Sequence, residues 1–184
     1  MMQKIMKCGL IGGFILFVWS AVSWTILPWQ KSQLGSFTNE KDVRSAIIDN
    51  TNGSGLYILP NLNDYSNDSD ELAAAKSRMM TGPFVVAAVA ADGKNPNMVL
   101  SSAASLIVKI IAASLVTWLL FHIPKRDYNR SVKFVTVAGI VIAMMSTLPY
   151  AIWFAYPGSF VITSMIESIF GWFFAGLAIA KCDK

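Results

Sequence analysis

Four stretches of this chain are long and apolar enough to cross a bilayer, and nothing else in the sequence constrains the fold as strongly. Crossing ~30 Å of hydrocarbon takes about 20 apolar residues in a helix. Cys8–Leu27 carries no charge, Val99–Phe121 carries only Lys109, Phe134–Phe154 carries none, and Phe160–Ala180 carries only Glu167. A helix on a soluble core keeps a polar face, and these do not. Charged residues are 14% of the 184, against about 25% in an average soluble domain, and the mean hydropathy is +0.51. A soluble globular domain and a disordered chain are both excluded. The expected fold class is membrane all-α: a four-transmembrane-helix bundle with a small extracytoplasmic α+β domain inserted between the first and second spans.

The division that follows is residues 1–28 (N-terminus and span 1), 29–98 (the inserted domain) and 99–184 (spans 2 to 4). Loop charges orient it. The N-terminus, the 122–133 loop and the C-terminus carry Lys4, Lys7, Lys125, Arg126, Arg130, Lys133, Lys181 and Lys184 against Asp127 and Asp183 alone. The 29–98 segment has six basic and eight acidic residues. Basic loops stay on the cytoplasmic side, so both termini and the 122–133 loop are expected inside and 29–98 outside. The expected location is a bacterial inner membrane, with 29–98 in the periplasm. The net charge of +4 is then a matter of topology, and no nucleic-acid partner is expected. Trp29, Trp153 and Tyr156 fall near the outer ends of spans, as in an interfacial aromatic belt. Residues 1–28 also resemble a signal peptide, with Ala21-Val22-Ser23 as a small-residue cleavage site. Apolar residues continue past it to Pro28, and an uncleaved anchor is the expectation.

Within 29–98 the pattern predicts a helix over Asn39–Asp49, with Val43, Ala46 and Ile47 on one face and Thr38 or Asn39 as its cap. A strand is predicted over Gly55–Leu59, a second helix over Asp70–Met80, and a second strand over Pro83–Ala91. Seventy residues bury a thin core, so this domain is expected to rest on the membrane helices or on a partner.

The most informative residues are Lys109 and Glu167. An ionisable group in hydrocarbon costs a few kcal/mol even on lenient scales. Counted at 1.5 Å per residue from the outer face, Lys109 lies about 15 Å deep and Glu167 roughly 10 Å. Ser101, Ser105, Lys109 and Ala113 form one i, i+4 stripe in span 2. Thr163, Glu167, Gly171 and Ala175 form another in span 4. Small residues and hydroxyls favour close helix contact, so spans 2 and 4 are predicted to pack together around a buried ion pair. That pair can be structural, can face a partner subunit, or can relay protons or ions. Two further small-residue pairs, Gly9 with Gly13 and Gly139 with Ala143, mark helix packing, expected to be internal.

Other chemistry is thin. The oxygen-rich 61–71 loop lacks the EF-hand glycine and carboxylate, since Ser69 and Ala75 stand at those positions counted from Asp64. Asn52 and Asn67 head sequons that matter only in a eukaryotic secretory route. His122 is the single histidine and has no companion ligands. Cys8 and Cys182 fall on the reducing side and are expected as free thiols. GxSxG, HExxH, P-loop and GxGxxG patterns are absent. Only a Ser105–Lys109 dyad could be imagined as a nucleophile, and Glu167 would hold that lysine charged. The expectation is a non-catalytic accessory or assembly subunit of a larger membrane complex, with no metal or cofactor. Its partners would be lipid and other integral membrane subunits, with self-association as an alternative. A small transporter or channel component using Lys109 and Glu167 is the second reading, and an envelope ligand sensor the third.

Overall fold

The structure is a computed structural model that describes residues 1–65 and 69–183. It divides into two units, Met1–Gly35 with Asn97–Lys184, and Ser36–Pro96.

The first unit holds four long helices: α1 (Met2–Thr25), α4 (Met98–Phe121), α5 (Tyr128–Phe154) and α6 (Gly158–Cys182). All four are long and apolar enough to cross a membrane. Their ends follow local chemistry. Helix α1 stops three residues before Pro28, and a proline disfavours helical backbone at the residue before it. Asn97 caps α4 by accepting the Val99 amide at 2.9 Å. Asp127 caps α5 by accepting the Arg130 amide at 2.9 Å, which satisfies an otherwise orphaned donor. Helix α5 therefore begins six residues before the apolar stretch and draws Arg130 and Lys133 into its first two turns. It runs through Pro149 and ends at Ala155, which takes left-handed backbone at φ +52°.

The packing order differs from the expectation. Helix α1 packs along both α4 and α6, α5 packs along α6, and α4 touches α5 only lightly. Spans 2 and 4 (α4 and α6) are thus not packed neighbours, because α1 supplies the contact surface for both. Glycine makes these contacts possible. A Cβ on Gly9 would collide with Ser114 of α4, and one on Gly13 with the Ile110 backbone. Gly139 of α5 lies against Trp172 of α6 in the same way. Both small-residue pairs act inside the chain. Gly171, placed in a stripe toward span 2, instead faces Leu16 and Trp19 of α1. Ala143 and Ala175 are fully buried.

The core of this unit lies toward one end. Cys8, Leu16, Ala113, Val116, Leu120, Val135, Trp172, Ala175 and Ile179 form it. Helix α4 buries Ala113, Val116, Thr117, Leu120 and Phe121 and no residue before them. Cys8 and Cys182 close this end as a disulfide with Cα atoms 5.6 Å apart, which corrects the expectation of free thiols. Antiparallel α1 and α6 bring the first turns of one beside the last turn of the other, within the separation a disulfide spans.

The second unit comprises α2 (Glu40–Asp49), β1 (Gly55–Leu59), α3 (Ser69–Thr81) and β2 (Val85–Val89), with a short 3-10 turn at Leu62–Tyr65. Asn39 caps α2 by accepting the Asp42 amide. The strands form a two-stranded antiparallel sheet in which Tyr57 faces Ala87 and Leu59 faces Val85. Part of the oxygen-rich loop, with the Asn67 sequon, lies at 66–68, outside the described residues. Asn61 donates to Asp64 at 3.0 Å within the part described.

Candidate functional site

Inside the apolar helices of the first unit lies a cluster of polar groups centred on Glu167. Its carboxylate accepts Ser20 Oγ of α1 at 2.9 Å and Gln30 Nε2 at 2.7 Å. The Glu167 backbone carbonyl accepts Trp19 Nε1 at 2.8 Å. Trp29 turns back and donates its indole N–H to Ser23 Oγ at 2.9 Å. It meets Trp19 edge-on with centroids 6.3 Å apart. The turn after Pro28 thereby carries Gln30 back to the helices, where it is 1% exposed.

Lys109 donates to Ser105 Oγ of its own helix at 2.8 Å. It is not in salt-bridge contact with Glu167; the bridges found among the described residues are Lys4–Asp183, Arg126–Asp183 and Arg130–Asp127. Helix register explains the gap. Gly13 of α1 meets Ile110, next to Lys109, whereas Ser20 of α1 meets Glu167. The two charges are offset by some seven residues along α1, about 10 Å at 1.5 Å per residue. They do share a cavity of about 210 Å³, whose walls include Ser20, Ala112, Ser168 and Trp172.

The remaining stripe residues do not join the helices through hydrogen bonds. Thr163 donates to the Ser159 carbonyl one turn back at 2.8 Å. Ser105 serves Lys109, and Ser101 is exposed. Sequence spacing missed Trp19, Ser20 and Gln30, the groups that hold Glu167. A serine in an apolar span and a glutamine just after Pro28-Trp29 were the available signals.

A second polar cluster lies at the disulfide end. Arg126 grips Asp183 with Nε at 2.6 Å and Nη2 at 3.2 Å, and its Nη1 donates to the Phe121 carbonyl at 3.3 Å. Lys4 joins the same aspartate and donates to its backbone carbonyl. The hydrogen bond from Asp183 pushes the Arg126 guanidinium further toward its charged form. His122 stacks on Trp118 with centroids 4.5 Å apart, and its Nδ1 lies 2.8 Å from the Trp118 carbonyl.

Four long apolar helices with a polar cluster between them define a multi-pass membrane protein. Comparison with protein-family models, with curated proteins and with solved structures finds no match to this chain.

Proposed function

We propose that the protein is a non-catalytic accessory or assembly subunit of a larger complex in a bacterial inner membrane. The observation that carries this reading is the state of the Ser36–Pro96 unit. Among its described residues only Pro60 and Ala75 are buried. Phe37 is 68% exposed, Leu56 69% and Met80 89%. A folded unit derives its stability mainly from buried apolar area, and this one leaves most of its apolar side chains uncovered. Val43, Ile47, Leu59, Val85 and Val89 line one apolar groove of this unit, and a contiguous exposed apolar surface marks an interaction site. A partner membrane protein is the occupant that this reading assigns to it.

Orientation follows from charge: the basic end, with both termini and the 122–133 loop, faces the cytoplasm, and the Ser36–Pro96 unit faces the periplasm. The contacts of α1 with α4 and α6 support its retention as an anchor. The second reading, a small transporter or channel component, is favoured by one observation: Lys109 and Glu167 line the same cavity.

The two readings separate on extraction of the tagged protein in mild detergent. Native electrophoresis gives its size and mass spectrometry its companions. The accessory reading expects a stoichiometric larger complex of defined composition. A lone chain or homo-oligomer contradicts it and directs attention to flux measurements on Lys109 and Glu167 variants.

A further inference from the structure

We infer that the cavity between Lys109 and Glu167 is a hydrated vestibule in which water, not direct contact, couples the two charges. This goes beyond the accessory-subunit reading and does not depend on it.

Size and chemistry agree. The cavity measures about 210 Å³, several times the roughly 30 Å³ that a water occupies in the liquid. A buried water needs two to four polar partners, and the walls supply them. The Lys109 ammonium has three donors and places one on Ser105. The Glu167 carboxylate has about four acceptor positions, and protein donors reach it from Ser20 and Gln30. Ser168, whose hydroxyl can donate and accept, is also a lining residue. Behind Glu167, outside the cavity lining, Gln30 Oε1 is buried and receives no donor from the protein. The polar capacity gathered here exceeds what the protein itself satisfies.

Energetics and charge select the occupant. Ionisable groups at membrane depth face a bundle interior or a water-filled cavity, because hydrocarbon does not solvate them. With one charge of each sign, a bound cation would be repelled by Lys109 and an anion by Glu167. A neutral dipolar molecule can orient between them, and water is the smallest that can. The fold also leaves a way in. The ring of helices is tightly packed toward the disulfide end, while α4 buries no residue before Ala113. Helix packing thus closes the disulfide end and leaves the opposite end unsealed.

The test is thiol accessibility in the full-length protein in native membrane vesicles, with Cys8→Ser and Cys182→Ser as background. Ala112→Cys and Ser168→Cys place thiols on the cavity wall. Leu115→Cys is the control on the outer surface of α4, where Leu115 is 59% exposed. A charged, membrane-impermeant methanethiosulfonate reacts only with a hydrated thiolate. Both cavity positions are expected to label at least about tenfold faster than position 115, from one side of the membrane, because reaction requires the ionised thiol. Adding Lys109→Met with Glu167→Gln is expected to slow that labelling. Ser168→Cys changes one atom and keeps the test decisive if Ala112→Cys fails to fold. Labelling at positions 112 and 168 as slow as at 115 would overturn the inference.

Discussion

Ser20 of α1 donates its hydroxyl to the Glu167 carboxylate of α6 at 2.9 Å. This contact, with the amide of Gln30 at 2.7 Å, replaces the lysine–glutamate contact that the two apolar stripes suggest. Glu167 is held by dipoles from α1 and the turn after it. Lys109 is held by its own helix.

The two charges should therefore differ in mutational cost. Glu167→Ala strands two donors, those of Ser20 and Gln30, and should destabilise by about 2–4 kcal/mol, since each unsatisfied buried group costs ~1–3 kcal/mol. Lys109→Met should cost less, because the carboxylate keeps both neutral donors. Thermal unfolding in detergent measures the order. A larger loss for Lys109→Met would mean that the direct Coulombic pair dominates. In a double-mutant cycle, Ser20→Ala and Glu167→Gln should be strongly non-additive, as expected for residues in contact.

The α1–α4 crossing should be intolerant of volume. Gly13→Leu drives a side chain into the Ile110 backbone and should cost at least the ~1–3 kcal/mol of an overpacked core. Gly9→Leu should behave alike against Ser114. Gly35→Ala, with nothing within 4 Å, should stay within about 0.5 kcal/mol of the parent. The same unfolding assay compares the three.

Arg126 should not be replaceable by lysine. Its planar fork makes two hydrogen bonds to Asp183 and a third to the Phe121 carbonyl. A lysine presents a point charge without that geometry. Arg126→Lys should lose about 1–2 kcal/mol, close to the loss for Arg126→Ala, because the contact is charge-assisted and bidentate. Full rescue by lysine would show that charge alone matters.

Cys8 and Cys182 report which side of the membrane their end faces. The fold joins them as a disulfide, and a disulfide does not persist in a reducing compartment, so the bond and the proposed cytoplasmic placement of that end make opposite demands. Rapid acid quenching of cells followed by alkylation decides between them, and the fold predicts no free thiol at either position. A disulfide present at quenching puts that end on the oxidising side and reverses the proposed orientation. Two thiols that mild oxidation of isolated membranes fails to join would contradict the pairing of α1 with α6.

Much of this fold is legible in the sequence because the signals are local. Asn39 announces a helix start, and the runs at 55–59 and 83–91 announce strands, because capping and apolar runs act within a few residues; Asp127, which starts α5 ahead of its apolar stretch, was not read as a cap. Which helices touch is not local. In an apolar span the face toward protein and the face toward hydrocarbon look alike, so Gly171 could not be assigned to α1 rather than α4. Gln30 was illegible for another reason: only the return of the chain after Pro28-Trp29 brings it to Glu167. The cysteines were read by compartment, and the ring order that brings α1 and α6 together was not available to correct that reading.

The central claim is that the Ser36–Pro96 unit completes itself on a partner. Photo-crosslinking in native membranes tests it most directly, with the crosslinking residue at Phe37, Leu56 or Met80 of the full-length protein and at Lys94 as control. The claim predicts adducts of one defined mass to an integral membrane protein from the apolar positions and none from position 94. Crosslinks to lipid alone, or to no partner at all three apolar positions, would contradict it.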